Sequence, residues 1–246
     1  MIRVGIHGKV DLTQYDDYYQ VLSLTKSTPY GCLSPYCLDV IFEEDKGQTF
    51  TTNMENAWQY SKVYANVPVS VQRRSRYDQT VIWSHPAEQH VIDDNSSNNG
   101  IQDKYWLWRW KGFSVKEPVR YPVGYDHRHK CLYSLWFDTN CKYYKMYDYI
   151  EARKNIYLPL YLQSVIKEPK FQQLKKRLVQ GQNLLILEVD GPHQESLTYY
   201  KNKYQVDNNF ITNSTIVANE HNLNIMLHDP KHPFGHGYCL AVALQQ

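Results

Sequence analysis

The sequence predicts an α+β protein, with a strand- and loop-rich N-terminal part and a helix-rich C-terminal part, organised as one domain over residues 1–246. Three observations carry that reading. Short β-prone runs broken by turn residues fill the first 50 positions, breaker-poor helical stretches dominate from Met146 onward, and no repeat of 20 to 50 residues is visible. A chain of 246 residues with 42% hydrophobic and 21% charged side chains can bury a sizeable core, which excludes disordered and fibrous classes. The 27 basic and 25 acidic residues leave a formal net charge of +2, too even for electrostatics alone to imply a polyanion partner. Five cysteines are few and odd in number, which fits free thiols in a reducing compartment. No apolar run reaches the length of a membrane span and the first residues lack the apolar core of a signal peptide, so the expectation is a cytoplasmic protein without a membrane partner.

The elements follow in order. Ile2 to Val10, Tyr19 to Leu24 and Leu38 to Phe42 read as strands or irregular loops, punctuated by turn signals such as Ser27-Thr28-Pro29 and Tyr30-Gly31. Asn53 is an N-cap candidate for a helix running to Val63 without Pro or Gly. Residues 93–102 are too polar to order themselves and are expected to form a flexible loop. Trp106, Trp108 and Trp110 recur at period two, the pattern of a strand with an aromatic face, and Leu132 to Phe137 is a further strand candidate. Met146 to Leu158 reads as a helix bent or restarted at Pro159, and Lys167 to Gln180 as a helix closed by Gly181. Asn183 to Val189 is a buried strand followed by the turn Asp190-Gly191-Pro192, and two more helices are expected over Ser214 to Leu227 and Gly237 to Leu244.

On the first helix, Glu55, Trp58, Gln59 and Lys62 fall at i, i+3, i+4 and i+7 and share one face. Ala57, Tyr60 and Tyr64 occupy the opposite side and can pack inward, so the stripe either faces solvent as ordinary helix polarity or lines a pocket. The run Glu55-Asn56-Ala57-Trp58-Gln59-Tyr60-Ser61-Lys62 resembles the motif of the NADAR family, in which a helix carries Glu-x-x-aromatic-Gln-x-x-Lys. The order of later elements is also similar: a basic helical segment from Arg153 to Leu178, a strand over Leu184 to Val189, and a glycine-containing final helix at Phe234-Gly235-His236-Gly237-Tyr238. The likeness is specific over about ten residues and loose over two thirds of the chain, and Asp229-Pro230-Lys231-His232-Pro233-Phe234-Gly235 stands where the family carries Asp-x-x-Trp-Gly.

The resemblance implies hydrolysis of an N-glycosidic bond to ribose, in a ribosylated or ADP-ribosylated base or a nucleotide-like small molecule. Cleaving a C1′–N bond passes through an oxocarbenium-like state, for which Glu55 supplies a carboxylate. Lys62 can donate a proton, bind phosphate, or attack a ring-opened ribose as an amine. Trp58 and Gln59 would wall the pocket and read a ribose or base edge, with Asp190 and His236 as its far side. This chemistry calls for no cofactor, and neither a Walker-type nor a G-x-G-x-x-G motif is present.

Other groupings are weaker. Leu187-Glu188-Val189-Asp190-Gly191-Pro192-His193 places acids and a histidine at the end of an apolar strand, where open sheets expose ligands, or merely forms a turn. His228, His232 and His236 are spaced by four, but Pro230, Pro233 and Gly235 break the helix that would align them for a metal, and Cys32, Cys37, Cys131 and Cys141 lack close-paired spacing. The clusters Arg73-Arg74-Ser75-Arg76 and Lys175-Lys176-Arg177, joined to the Trp stripe, support an alternative: a non-catalytic module that stacks nucleotides or single-stranded nucleic acid on its rings. With 22 Tyr and 6 Trp beside 7 Phe, an assembly protein is a third class.

Overall fold

The computed structural model describes residues 1–65, 73–75, 78–83, 100–120 and 130–246. The fold is α+β, with a strand-rich first half and most of the helices after residue 148. The chain divides into two compact units, Met1–Cys37 with Tyr161–Gln246, and Leu38–Leu160.

The first unit is built on a four-stranded mixed sheet. Its central strand Ile2–Ile6 runs parallel to Asn183–Glu188 and antiparallel to Thr215–Val217, and Tyr18–Leu22 pairs in parallel on the outer side of Asn183–Glu188. Leu184 to Leu187 are buried without alternation, as a parallel strand covered on both faces requires. The C-terminal helix His236–Gln245 and the helix Pro169–Val179 pack on this sheet. Gly181, at φ +82, ends the latter as expected of a C-terminal glycine.

The second unit joins the hairpin Asp39–Glu43/Thr49–Asn53 to a three-stranded antiparallel sheet of Tyr143–Tyr147, Cys131–Asp138 and Lys62–Tyr64. The hairpin turns through Lys46 and Gly47, both at positive φ, the backbone hand that matches the twist of paired strands. The helix Met54–Tyr60 follows the hairpin directly and is buried along its whole length.

Four sequence expectations change. The helix from Asn53 is capped as expected, Asn53 accepting from the Glu55 N–H, but it ends at Tyr60. Lys62 to Tyr64 pair with Cys131–Asp138 instead, because β-prone Val63 and Tyr64 gain a sheet partner there. The Trp stripe is not a strand: Trp106, Trp108 and Trp110 lie on the helix Asp103–Phe113, where Tyr105, Trp108, Arg109 and Gly112 are buried at i, i+3, i+4 and i+7. Met146 lies within the strand Tyr143–Tyr147, and the helix begins only after Asp148, whose carboxylate accepts from the Glu151 N–H. It then widens to a π-turn over Arg153–Tyr157, which accommodates the missing N–H and bulky ring of Pro159. Lastly, Thr215–Val217 is a strand and only Glu220–His228 is helical, since three β-branched residues precede the Asn219 cap. Of the loop expected at 93–102, residues 93–99 lie outside the described residues. No helix among the described residues is long and apolar enough to cross a membrane.

Candidate functional site

The residues of the Glu-x-x-Trp-Gln-x-x-Lys run meet in the second unit. Gln59 Nε2 donates to Glu55 Oε1 at 2.7 Å, and Lys62 Nζ donates to Gln59 Oε1 at 2.7 Å. The same Nζ lies 4.8 Å from the centre of the Trp58 ring, a cation over an indole face. Lys62 reaches this point from the strand after the helix and not from the helical face that the spacing suggested. Glu55, Trp58 and Gln59 are 6%, 9% and 6% exposed, which removes the reading of a solvent-facing polar stripe.

Neighbouring elements hold the helix rigid. Asn56 Nδ2 donates to the carbonyls of Val115 and Glu117, its Oδ1 accepts from the Val119 N–H, and Trp58 packs on Tyr157 with ring centres 5.1 Å apart. Burial lowers the Lys62 ammonium to about 8; Cys131 and Glu55 act in the opposite direction, and Arg120 adds to the lowering. Burial also pushes the Cys131 thiol up. At neutral pH the site therefore holds a desolvated ammonium that a modest pH change can discharge. A carboxylate, an amide and an ammonium in one hydrogen-bonded row can steady positive charge on a sugar ring at one end and bind an anion or deliver a proton at the other.

Asp190 and His236 belong to the first unit and are grouped there around Glu188, an acid of the Leu187–His193 run that was not among the candidate site residues. Asp190 is exposed in the turn. His236 Nε2 meets Ser23 O at 2.6 Å and Ser23 Oγ at 3.1 Å, and its Nδ1 lies 3.5 Å from Glu188 Oε2. Burial lowers the His236 imidazolium, while the Ser23 carbonyl and Asp190 favour it. Burial raises the Glu188 carboxyl to about 8, Asp190 adds to that, and the Gly237 N–H opposes it. Its Oε1 has no hydrogen-bond partner among the described residues. A Cβ on Gly235 would stand 2.5 Å from Glu188 Oε2, so the carboxyl sits where only glycine lets it approach the start of the final helix. The sequence signal was faint: an acid in phase with the buried Leu184 to Leu187 run.

The remaining candidates disperse. His193 joins Lys9 and Glu195 in an exposed cluster, and His228 Nδ1 meets Asn224 O, so the three evenly spaced histidines do not converge. No group of metal-ligating side chains occurs among the described residues. Trp108 packs on Tyr60 and Tyr105 in the unit's own core, while half-buried Trp106 packs on Tyr105 and Tyr144. The chain matches no family model, no curated protein and no solved structure.

Proposed function

We propose that this chain is an N-glycosidase that cleaves the C1′–N bond of a ribosylated or ADP-ribosylated base. The observation that supports the reading is the buried row Lys62–Gln59–Glu55 lying along the Trp58 ring. Its residues are those of the pattern that resembles the NADAR family. Glu55 is the carboxylate that stabilises the oxocarbenium-like transition state, in surroundings dry enough to strengthen that interaction. Gln59 fixes the orientation of Glu55 through its Nε2, and the other carboxylate oxygen would meet the substrate. Lys62 acts as an ammonium, because both of its contacts, an amide oxygen and an indole face, favour the charged form. It would hold a substrate phosphate or protonate the departing base. Water is the only co-reactant required.

The test is hydrolysis of a panel by wild type and Glu55→Gln. The panel comprises ADP-ribosylated guanine as nucleoside and as oligonucleotide, free ADP-ribose, NAD and ribosylamine pyrimidines, with products followed chromatographically. Turnover by the wild type that falls by about 10²–10³ in the variant is expected, the size of losing one preorganised electrostatic contact. No turnover of any member by protein with a cooperative melt, or equal rates in both proteins, would remove the reading.

A further inference from the structure

Beyond the Glu55 row, the first unit carries an arrangement of nucleophile, base and acid. The helix Leu197–Tyr204 starts at Ser196, whose side chain makes no capping hydrogen bond. That serine closes the short turn Gln194–Ser196 with helical backbone angles, so its hydroxyl is not engaged in capping. Here Ser196 Oγ lies 3.1 Å from His232 Nε2 instead. The other ring nitrogen, Nδ1, stands 2.5 Å from Asp229 Oδ2. Serine on Nε2 and a buried carboxylate on Nδ1 is the division of labour that lets an imidazole take a proton from a hydroxyl while the acid fixes its tautomer and steadies the charge it gains.

The acid is held more firmly than a turn would require. Asp229 is fully buried and accepts from the hydroxyls of Tyr199 at 2.5 Å, Tyr200 at 2.9 Å and Tyr204 at 3.3 Å, and from the Lys231 N–H at 3.2 Å. Burial works against the charged form, but His232, Tyr199, Lys231 and Tyr200 outweigh it and hold the carboxyl well below its usual range. The imidazole is clamped as well: it stacks on Tyr200 with centres 5.1 Å apart and meets Tyr199 edge-on at 5.2 Å, and prolines 230 and 233 stiffen the backbone around it. Ser196, by contrast, is only half-buried, and the His232 side chain is partly exposed beside it.

We propose that Ser196, His232 and Asp229 form a second hydrolytic site, which cleaves carboxylic esters through an acyl-serine. Ser196 Oγ bonds to the acyl carbon as its proton passes to His232 Nε2. The bond to the leaving alkoxide breaks, and that oxygen departs with the proton. A water, deprotonated by the same nitrogen, then cleaves the acyl-serine, and the proton returns to Ser196 Oγ. Neither step draws on Glu55 or Lys62, so the proposal stands apart from the glycosidic reading.

The probe is a fluorophosphonate, with p-nitrophenyl acetate as turnover substrate. Intact-mass and peptide analysis should find one adduct, on Ser196, and none there in Ser196→Ala, a small change at a half-exposed position that keeps the fold. His232→Gln should slow labelling by about 10²–10⁴, the range of a general base. Should that variant fail to fold, ester hydrolysis by wild type against Ser196→Ala decides in its place. Absence of label on Ser196, labelling of His232→Gln at the wild-type rate, or undiminished ester hydrolysis by Ser196→Ala would overturn the proposal and leave the three residues as a structural clasp.

Discussion

Lys62 is the residue whose position the sequence misplaced and whose partners it anticipated. Spacing put it on the helix with Glu55, whereas the chain enters a strand at that point and the long side chain reaches back to Gln59. The row was legible because Glu55 and Gln59 stand one helical turn apart and Lys62 follows three residues later, close enough for its long side chain to reach. The strand was not, since its partner Cys131–Asp138 lies some seventy residues away and no local pattern announces it. The lowered ammonium gives the site a pH signature. Lys62 is charged below about 8 and neutral above it. If it works as an ammonium, kcat/KM for the glycosidic reaction falls about tenfold per pH unit above 8, and Lys62→Arg, which stays charged, loses that descending limb. A rate that climbs through pH 8 would make Lys62 a nucleophilic amine and reverse its role.

At the scale of elements, the helix Asp103–Phe113 shows how one period can mask another. Three tryptophans at every second position read as a strand, yet Tyr105, Trp108, Arg109 and Gly112 repeat with helical spacing in the same eight residues. Arg109 decides the outcome. It is fully buried, pairs through Nη2 and Nε with Glu44 at 2.6 and 3.1 Å, and donates through Nη1 to the carbonyls of Tyr60 and Leu135 and the hydroxyl of Tyr105. One guanidinium thus ties this helix to the end of the Glu55 helix, the central strand of the three-stranded sheet and the hairpin. Close packing adds to it, for a Cβ at Gly112 would fall 2.1 Å from the Tyr60 ring. Tyr144 supplies Glu44 with a further hydroxyl at 2.8 Å. Arg109→Met should cost about 3–5 kcal/mol in urea denaturation, because Glu44 is left charged and buried. Adding Glu44→Gln should recover part of that loss. A single variant within 1 kcal/mol of wild type, on the order of a surface pair, would show that the charges are not desolvated as the burial indicates.

For the whole molecule, the sequence conveyed a strand-rich start and helices later, but not that the two ends of the chain build one sheet. Ile2 pairs with Leu184 and Ile6 with Glu188, and Tyr18–Leu22 closes on the same strand; such contacts carry no local signature. Glu188 is the cost of that arrangement, a carboxyl carried into the interior at the end of an otherwise apolar strand. Its effect is on global stability. Burial raises the folded carboxyl from 4.5 to about 8, so between those values the folded chain keeps a proton that the unfolded chain has released. Stability from this group is therefore complete below about pH 4.5 and is lost as pH rises through about 8, at about 1.4 kcal/mol per pH unit. His236 works with the opposite sign, since its folded value lies below 6.5 and its contribution grows as pH rises toward that point. The difference between wild type and Glu188→Gln isolates the carboxyl, because the amide keeps an oxygen for the Gly237 N–H and cannot ionise. Urea midpoints measured from pH 5 to 8 should decline in the wild type relative to the variant, with the gap widening steadily in the variant's favour. Parallel curves would mean that Glu188 is already ionised in the folded chain, and that a cation or polar group compensates it where its Oε1 meets none among the described residues.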